Sequence, residues 1–365
     1  MDEGPSTGLQ LLLFEVDQTE RSGYVNTIEF YDLTPRFIFG DQPNTPGSIE
    51  REFQYDGQPY KIRLLPTQIR MPDGTERFAF PGEREQLVED VIRRLAVDPD
   101  RLRLDKGQDT VQIQFTLYEL RQELRRVRHT LAIDEIREAL EILHRCTFEV
   151  TKLGTRKPMI SATAFPVLLM SDTAEVGSKR ILHFNPLVAE GLRRLKFRQL
   201  DYERLMRLKT GPARWLYKRM VQRFTQAGAF EAYEILATTI ARDSGMTLLS
   251  RNRDTLRKVD RSVEALIEAG IVESVTRQHR KVSGTKRLED VLYIMYPSRE
   301  FMRDQKAANA IVNETVSEFK TIAGTADTNQ FVRVPSARAR AFRAQKRGLN
   351  ASARGGLIGS VKRPS

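Results

Sequence analysis

Twice in this chain a helical period gives way to a short alternating segment, then to two further helices, then to two apolar runs flanking a polar turn. Two copies of one arrangement are harder to obtain by chance than either alone, so the repeated order constrains the fold more than any single segment does. In the first copy Leu87, Val88, Val91, Ile92 and Leu95 recur at helical spacing and predict a helix over Glu83 to Leu95. Val111, Ile113 and Phe115 alternate with Gln112 and Gln114 as in a half-buried strand. Thr116 and Glu119 form a T-x-x-E capping box opening a helix to about Arg126. Asp134 to Arg145 follows as a third helix, burying Ile136, Leu140 and Leu143. Phe148 to Thr151 and Met159 to Leu169 then flank KLGTRKP as a hairpin.

In the second copy a basic helical stretch, Asp201 to Phe224, is interrupted at Thr210-Gly211-Pro212, where a proline fits a helix start better than a helix interior. A short segment around Phe230 leads into a helix from about Tyr233 to Arg242, ended by Gly245, and a third helix spans about Ser250 to Ala269, stopped by Gly270. Ile271 to Thr276 and Asp290 to Tyr296 pair across the turn RQHRKVSGTKRLE. Helix, strand, helix, helix, hairpin is the winged variant of the helix-turn-helix. The expected fold is α+β: two tandem winged-helix domains at 81–182 and 183–300, a β-rich region at 1–80, a C-terminal helix at 301–323 and a disordered basic tail at 324–365. In the β-rich region Leu11 to Val16 and Thr27 to Phe39 read as strands, the second broken by Pro35, and DGQP at 56–59 and PDGT at 72–75 supply turns. The tail is rich in Ala, Arg, Gly and Ser, a composition unable to bury a core.

The 365 residues carry a net charge of +11, which asks for an acidic partner such as nucleic acid or an anionic surface. Nine of the basic residues lie between Arg333 and the C-terminus without one acidic residue, leaving the rest of the chain near +2. A binding surface in the folded body must therefore arise from local clustering. Cys146 is the only cysteine, so no intramolecular disulfide forms; with no long apolar span and acidic residues ahead of the first apolar run, the expected setting is the cytoplasm.

The clustering falls on the second copy. Its third helix places Leu256, Val259, Val263, Leu266 and Ile267 on one stripe, which leaves Arg251, Asn252, Arg253, Arg257, Lys258 and Arg261 on the outer face. Arginine forks onto guanine and asparagine onto adenine in the major groove of duplex DNA, so this face suits base reading. The following hairpin adds Arg277, His279, Arg280, Lys281, Lys286 and Arg287, suited to phosphates. A solvated helix face is the plainer reading of such a charge run, but here the charge falls on both groove-facing elements of one winged helix. The first copy differs: Asp134, Glu135, Glu138 and Glu141 lie on its third helix, with Arg137 alone among them. Its basic residues sit on the preceding helix, Arg121, Arg125, Arg126 and Arg128, and on the wing, Lys152, Arg156 and Lys157, which fits backbone contacts or protein packing and equally a purely architectural domain.

Catalytic signatures are lacking in the sequence. GTRK at 154–157, GSKR at 177–180 and GTKR at 284–287 are not phosphate-binding loops, and His129, His144, His183 and His279 form no paired metal motif. His144 with Cys146 reads as helix-end packing, and Tyr118 and Tyr217 as core residues rather than nucleophiles. No enzymatic activity, cofactor or metal is expected.

Two stretches carry a resemblance: FNPLVAEGLRRLKFRQLDYERLMRLKTGPARWLYKRMVQRF at 184–224 and RNRDTLRKVDRSVEALIEAGIV at 251–272, with NTIEFYD and FPGEREQLVEDVIRRLA upstream. The chain resembles the Rep-type replication initiators of bacterial plasmids, of the RepA and TrfA-like kind, over about residues 85–300. The resemblance implies that the second domain reads repeated origin sites, or iterons, through Arg251, Asn252, Arg253, Arg257 and Arg261. It further implies that the first contacts phosphates as a monomer or packs in a dimer repressing its own gene, and that bound protein opens AT-rich DNA and brings in the host initiator and replicative helicase. Alternatives are a winged-helix transcriptional regulator without initiator activity, and an adaptor whose basic tail alone binds nucleic acid.

Overall fold

The structure is a computed structural model in which residues 23–70, 73–98, 101–105, 110–169, 178–193, 196–225, 227, 231–281 and 288–310 are described. The expected strand at Leu11 to Val16, the wing residues Lys286 and Arg287, the C-terminal helix beyond 310 and the tail from Gly324 lie outside the described residues. The chain is α+β.

Its first ordered elements are β1 (Tyr24–Thr27), α1 (Glu29–Leu33), β2 (Ile49–Tyr55), β3 (Gln58–Leu65), β4 (Thr67–Arg70) and β5 (Glu76–Ala79). The strand expected over Thr27 to Phe39 is instead the end of β1 followed by α1. Asp32 accounts for the difference: its carboxylate accepts from Thr27 Oγ1 at 2.8 Å and from the Ile28 amide at 2.7 Å, holding the start of the turn. Thr34, just ahead of Pro35, is extended at φ −66°, ψ 128°, as a residue before proline prefers, and stops the helix.

Next come α2 (Glu83–Leu95), β6 (Leu102–Asp105), β7 (Thr110–Phe115), α3 (Leu117–Arg126), α4 (Ile133–Arg145), β8 (Thr147–Lys152), β9 (Ile160–Thr163), β10 (Val167–Leu169) and β11 (Arg180–His183). The box at Thr116 and Glu119 forms in both directions, with Glu119 N donating to Thr116 Oγ1 at 3.1 Å and Thr116 N to Glu119 Oε2 at 2.8 Å. The strand pairing departs from a simple repeat. β7 lies in the sheet β10-β11-β7-β6, whereas β8 and β9 join the N-terminal hairpin in the sheet β2-β3-β8-β9. The expected strand from Met159 to Leu169 is therefore two strands in two sheets. Buried Phe165 and exposed Pro166, which has no amide to donate, mark the crossing between them.

The second half holds α5 (Pro186–Arg193), β12 (Arg198–Asp201), α6 (Tyr202–Arg207), α7 (Gly211–Arg223), β13 (Tyr233–Leu236), α8 (Ala237–Asp243), α9 (Asn252–Glu268), β14 (Val272–Lys281) and β15 (Leu288–Pro297), then a helix covering 299–310. Here the sheet order is β13-β15-β14, so the strand before the helix pair joins the hairpin after it. Tyr233 to Leu236, expected as helix, is strand β13 because β15 offers it a ladder. The helix begins only at Ala237, where Asp290 of β15 accepts from Thr238 N at 3.1 Å and Thr238 Oγ1 at 2.5 Å.

The N-terminal region is woven through both halves. β1 pairs with β12, and Trp215 Nε1 and Gln222 Nε2 of α7 donate to the carbonyls of Leu33 and Thr27. Gly245 ends α8 with φ +86° directly against the Phe37 carbonyl, a place that admits no Cβ. Beneath this seam α1, α2 and α7 meet in a buried charge cluster of three carboxylates, Asp32, Glu89 and Asp90, and three cations, Arg36, Arg93 and Lys218. Arg36 forks onto Glu89 at 2.5 and 3.0 Å, Arg93 reaches Asp32 at 2.7 Å, and Lys218 reaches Asp90 at 2.5 Å. Burial works to raise the Asp32 carboxyl, but Arg93, Lys218 and Arg36 outweigh it and hold it well below the usual carboxylate range. Buried Arg214 of α7 donates to Gln86 Oε1 at 2.8 Å and to the Leu208 carbonyl at 2.7 Å, and burial lowers its pKa. The N-terminal region and the second half are thereby tied to α2 of the first half by groups that cannot be pulled apart without stranding a charge.

Candidate nucleic-acid interface

The second helix pair presents α9 because the helix buries only one stripe. Leu256, Val259, Val263 and Leu266 are in the core and Ile267 is half-buried. Its start is fixed by side chains: Thr255 Oγ1 accepts from Leu249 N at 3.1 Å, and Asn252 Nδ2 donates to the Glu289 carbonyl of the wing at 2.9 Å. The amide of Asn252 thus anchors the helix to β15.

Arg253, Arg257 and Arg261, four residues apart, form one exposed row along the outer face, with Arg251 exposed at its N-terminal end and Lys258 half-buried. Among the described residues Arg251, Arg253 and Arg261 make no ion pair, and Arg257 has only a loose one, 3.5 Å from Asp254. Like charges at four-residue spacing repel by a few tenths of a kcal/mol per pair. A helix surface that accepts this repulsion is suited to an anionic partner.

The wing beside it is longer than expected: Arg277 to Lys281, placed in the turn by sequence, belong to β14, whose ten residues extend about 33 Å. Arg280 and Lys281 are exposed toward its end. Arg277 is half-buried and turned inward, donating to Asp260 at 2.8 Å and to Glu264 of α9. Its guanidinium is engaged in holding wing to helix.

In the first half the corresponding helix, α4, is occupied. Glu138 accepts from Arg77 of β5 and from Arg84 of α2 at 2.6 Å, and Asp134 pairs with Arg137 at 2.8 Å. The β4–β5 hairpin lies against this helix, so part of the face that would enter a groove is covered. On α3, Arg121 is half-buried and Arg125 exposed, while Arg126 is bound to Glu123 and Glu203. Arg156 and Lys157 are exposed in the β8–β9 turn and make no ion pair among the described residues.

His144 Nδ1 lies 2.7 Å from the Phe165 carbonyl, and Cys146 Sγ donates to the Leu65 carbonyl at 2.9 Å with its thiol pushed up to about 12 by burial, a helix-end packing arrangement. Tyr217 is core, but Tyr118, expected there, is half exposed and bonded to Gln122. Among the described residues no group of three or more metal-binding side chains converges, and no helix is long and apolar enough to cross a membrane.

Sequence reasoning missed the buried charge cluster. Its one visible trace is α2, where Glu89, Asp90 and Arg93 interleave with Val88, Val91 and Ile92 on a helix buried nearly all round.

No protein-family model matches the chain, and no curated protein matches it. Among solved structures it is similar to domains 2 and 3 of RctB, at 10% identity and TM-score 0.47, covering 77% of this chain and 99% of that one. A second structure of RctB domains 2–3 gives 10% identity and TM-score 0.45, covering 75% of this chain and 98% of that one. The Pi initiator protein in complex with iteron DNA gives 12% and 0.41, covering 59% of this chain and 91% of that one. Likenesses of this size are distant and transfer no function.

Proposed function

We propose that the protein is a plasmid-type replication initiator that binds repeated origin sites in duplex DNA through two winged-helix domains, at 81–182 and 183–300. The observation that carries this reading is the exposed row Arg253, Arg257 and Arg261 on α9, the third helix of a winged arrangement, whose one ion pair among the described residues is the 3.5 Å contact of Arg257 with Asp254. In the major groove such a row reaches base edges, with Arg251 at its leading end, and Arg280 and Lys281 of the wing neutralise phosphates. Arg125, Arg156 and Lys157 of the first domain add backbone contacts that carry no sequence information. The protein works by binding, without a reaction of its own, in the cytoplasm. Opening of the origin, recruitment of the host initiator and helicase, and dimer formation with repression of its own gene follow from the sequence resemblance to Rep-type initiators.

The test is a footprint on the DNA neighbouring the gene, with permanganate to detect unpaired thymines. Protection of several direct repeats with melting beside them is the expected result. Protection of one palindrome without melting would make the protein a winged-helix regulator instead.

A further inference from the structure

Strand β8 ends at Lys152 and β9 starts at Ile160, and the turn between them is held more firmly than a surface loop requires. Leu153 N donates to the Pro59 carbonyl of β3 at 3.1 Å, and Met159 N to the Val150 carbonyl at 2.8 Å, carrying the ladder one residue past each strand end. Within the turn Thr155 donates to the Lys152 carbonyl through both N, at 3.0 Å, and Oγ1, at 2.8 Å, and Gly154 takes φ +92°. Behind the hairpin β2 and β3 complete a four-stranded sheet on a core containing Val150, Ile62 and Phe53.

This bonded tip displays apolar side chains to solvent. Strand alternation puts Leu153 and Met159 on the face opposite buried Val150, and they are 39% and 56% exposed, with Pro158 exposed between them. From Val150 to Thr163 there are three cations, Lys152, Arg156 and Lys157, and no acidic residue. Apolar side chains offered from a cationic ribbon match the way proteins kink duplex DNA: arginine or lysine enters the minor groove while leucine, methionine or proline wedges between base steps. A two-stranded ribbon is too wide for the minor groove, so only the side chains of the tip enter it.

We infer that the β8–β9 tip is a minor-groove wedge, in which Leu153 and Met159 unstack a base step while Arg156 and Lys157 hold the flanking phosphates. This rests on the duplex-DNA reading above and gives the first domain an activity, deformation of the DNA that the second domain selects. Flexible pyrimidine–purine steps are its favoured targets, since they unstack most readily.

The experiment uses the full chain and a duplex selected by it from a random library, carrying end labels for energy transfer and 2-aminopurine placed stepwise along the site. The intact protein is expected to bend the duplex by roughly 20–90° and to raise 2-aminopurine fluorescence at one step. Joint Leu153→Ala and Met159→Ala substitutions abolish that rise and remove most of the bend, with sequence preference retained. Joint Leu153→Lys and Met159→Lys substitutions add charge, so binding persists or tightens while the bend is still lost. All four substitutions are at exposed positions, and an unchanged melting temperature verifies the fold. A bend unchanged in the alanine variant would overturn the wedge alone, as would a straight complex with the intact protein. A selection that yields no preferred duplex would remove the DNA-reading proposal and the wedge together.

Discussion

Helices α4 and α9 stand at the same point of the same repeated order, and their surfaces are opposites. On α4 Glu138 is bridged by Arg77 and Arg84 and the β4–β5 hairpin lies alongside; on α9 Arg253 and Arg261 stand exposed without an ion pair among the described residues. Element order therefore specifies a scaffold, and the groups left unpaired on it specify a task. The strand pairing makes the same distinction. The second half closes its own sheet, β13-β15-β14, whereas the first half gives its hairpin to the N-terminal strands, with the turn bonded to β3 through Leu153 N.

The comparison breaks most severely if the halves are uncoupled. Lys218→Met removes the ion-pair partner of buried Asp90; removing one partner of a buried pair costs about 3–5 kcal/mol. Denaturant unfolding is expected to fall by that order and to separate into two transitions. A small, single-transition change would mean that the seam does not couple the halves.

The same seam sets an acid limit. The carboxyls of Asp32 and Glu89 are depressed by their cations against the opposing effect of burial. Their contribution is therefore present above the unfolded carboxylate range near pH 4 and is lost as pH falls through the lower folded values. Asp32→Asn is expected to be less stable at neutral pH and to lose less stability between pH 6 and about pH 3 than the parent, read from urea midpoints. A parallel pH profile would contradict the assignment.

On α4, Glu138→Gln weakens the tie to Arg77 and Arg84, partly exposed pairs worth about 1 kcal/mol or less. DNA affinity should rise slightly on every sequence, with site preference unchanged in competition assays. On α9, Arg261→Ala should relieve repulsion with Arg257 and raise stability of the free protein by about 0.2–0.5 kcal/mol while weakening binding. That would mark the arginine row as selected for a partner rather than for folding.

These contrasts were partly legible in sequence. Elements made by local chemistry appeared at their true places: α2 from its apolar spacing, α3 from Thr116 and Glu119, and the break at Thr210 ahead of α7. The opposite charge of α4 and α9 was legible for the same reason. What depended on distant partners was not: Tyr233 to Leu236 is a strand because β15 lies beside it, and β8 pairs with β3, about 90 residues earlier in the chain. Arg277 has the sequence setting of a phosphate ligand, but folding brings Asp260 and Glu264 to its guanidinium. The charge cluster joins residues of three separated segments, and only packing brings them together.

The proposed division of labour between the two halves is tested most directly with Arg257→Ala, measured on the selected site and on random duplex at the same salt. As a base contact it should cost about 1–3 kcal/mol on the site and little on random DNA. Equal losses on both would make Arg257 a phosphate contact and contradict the claim that α9 reads the sequence.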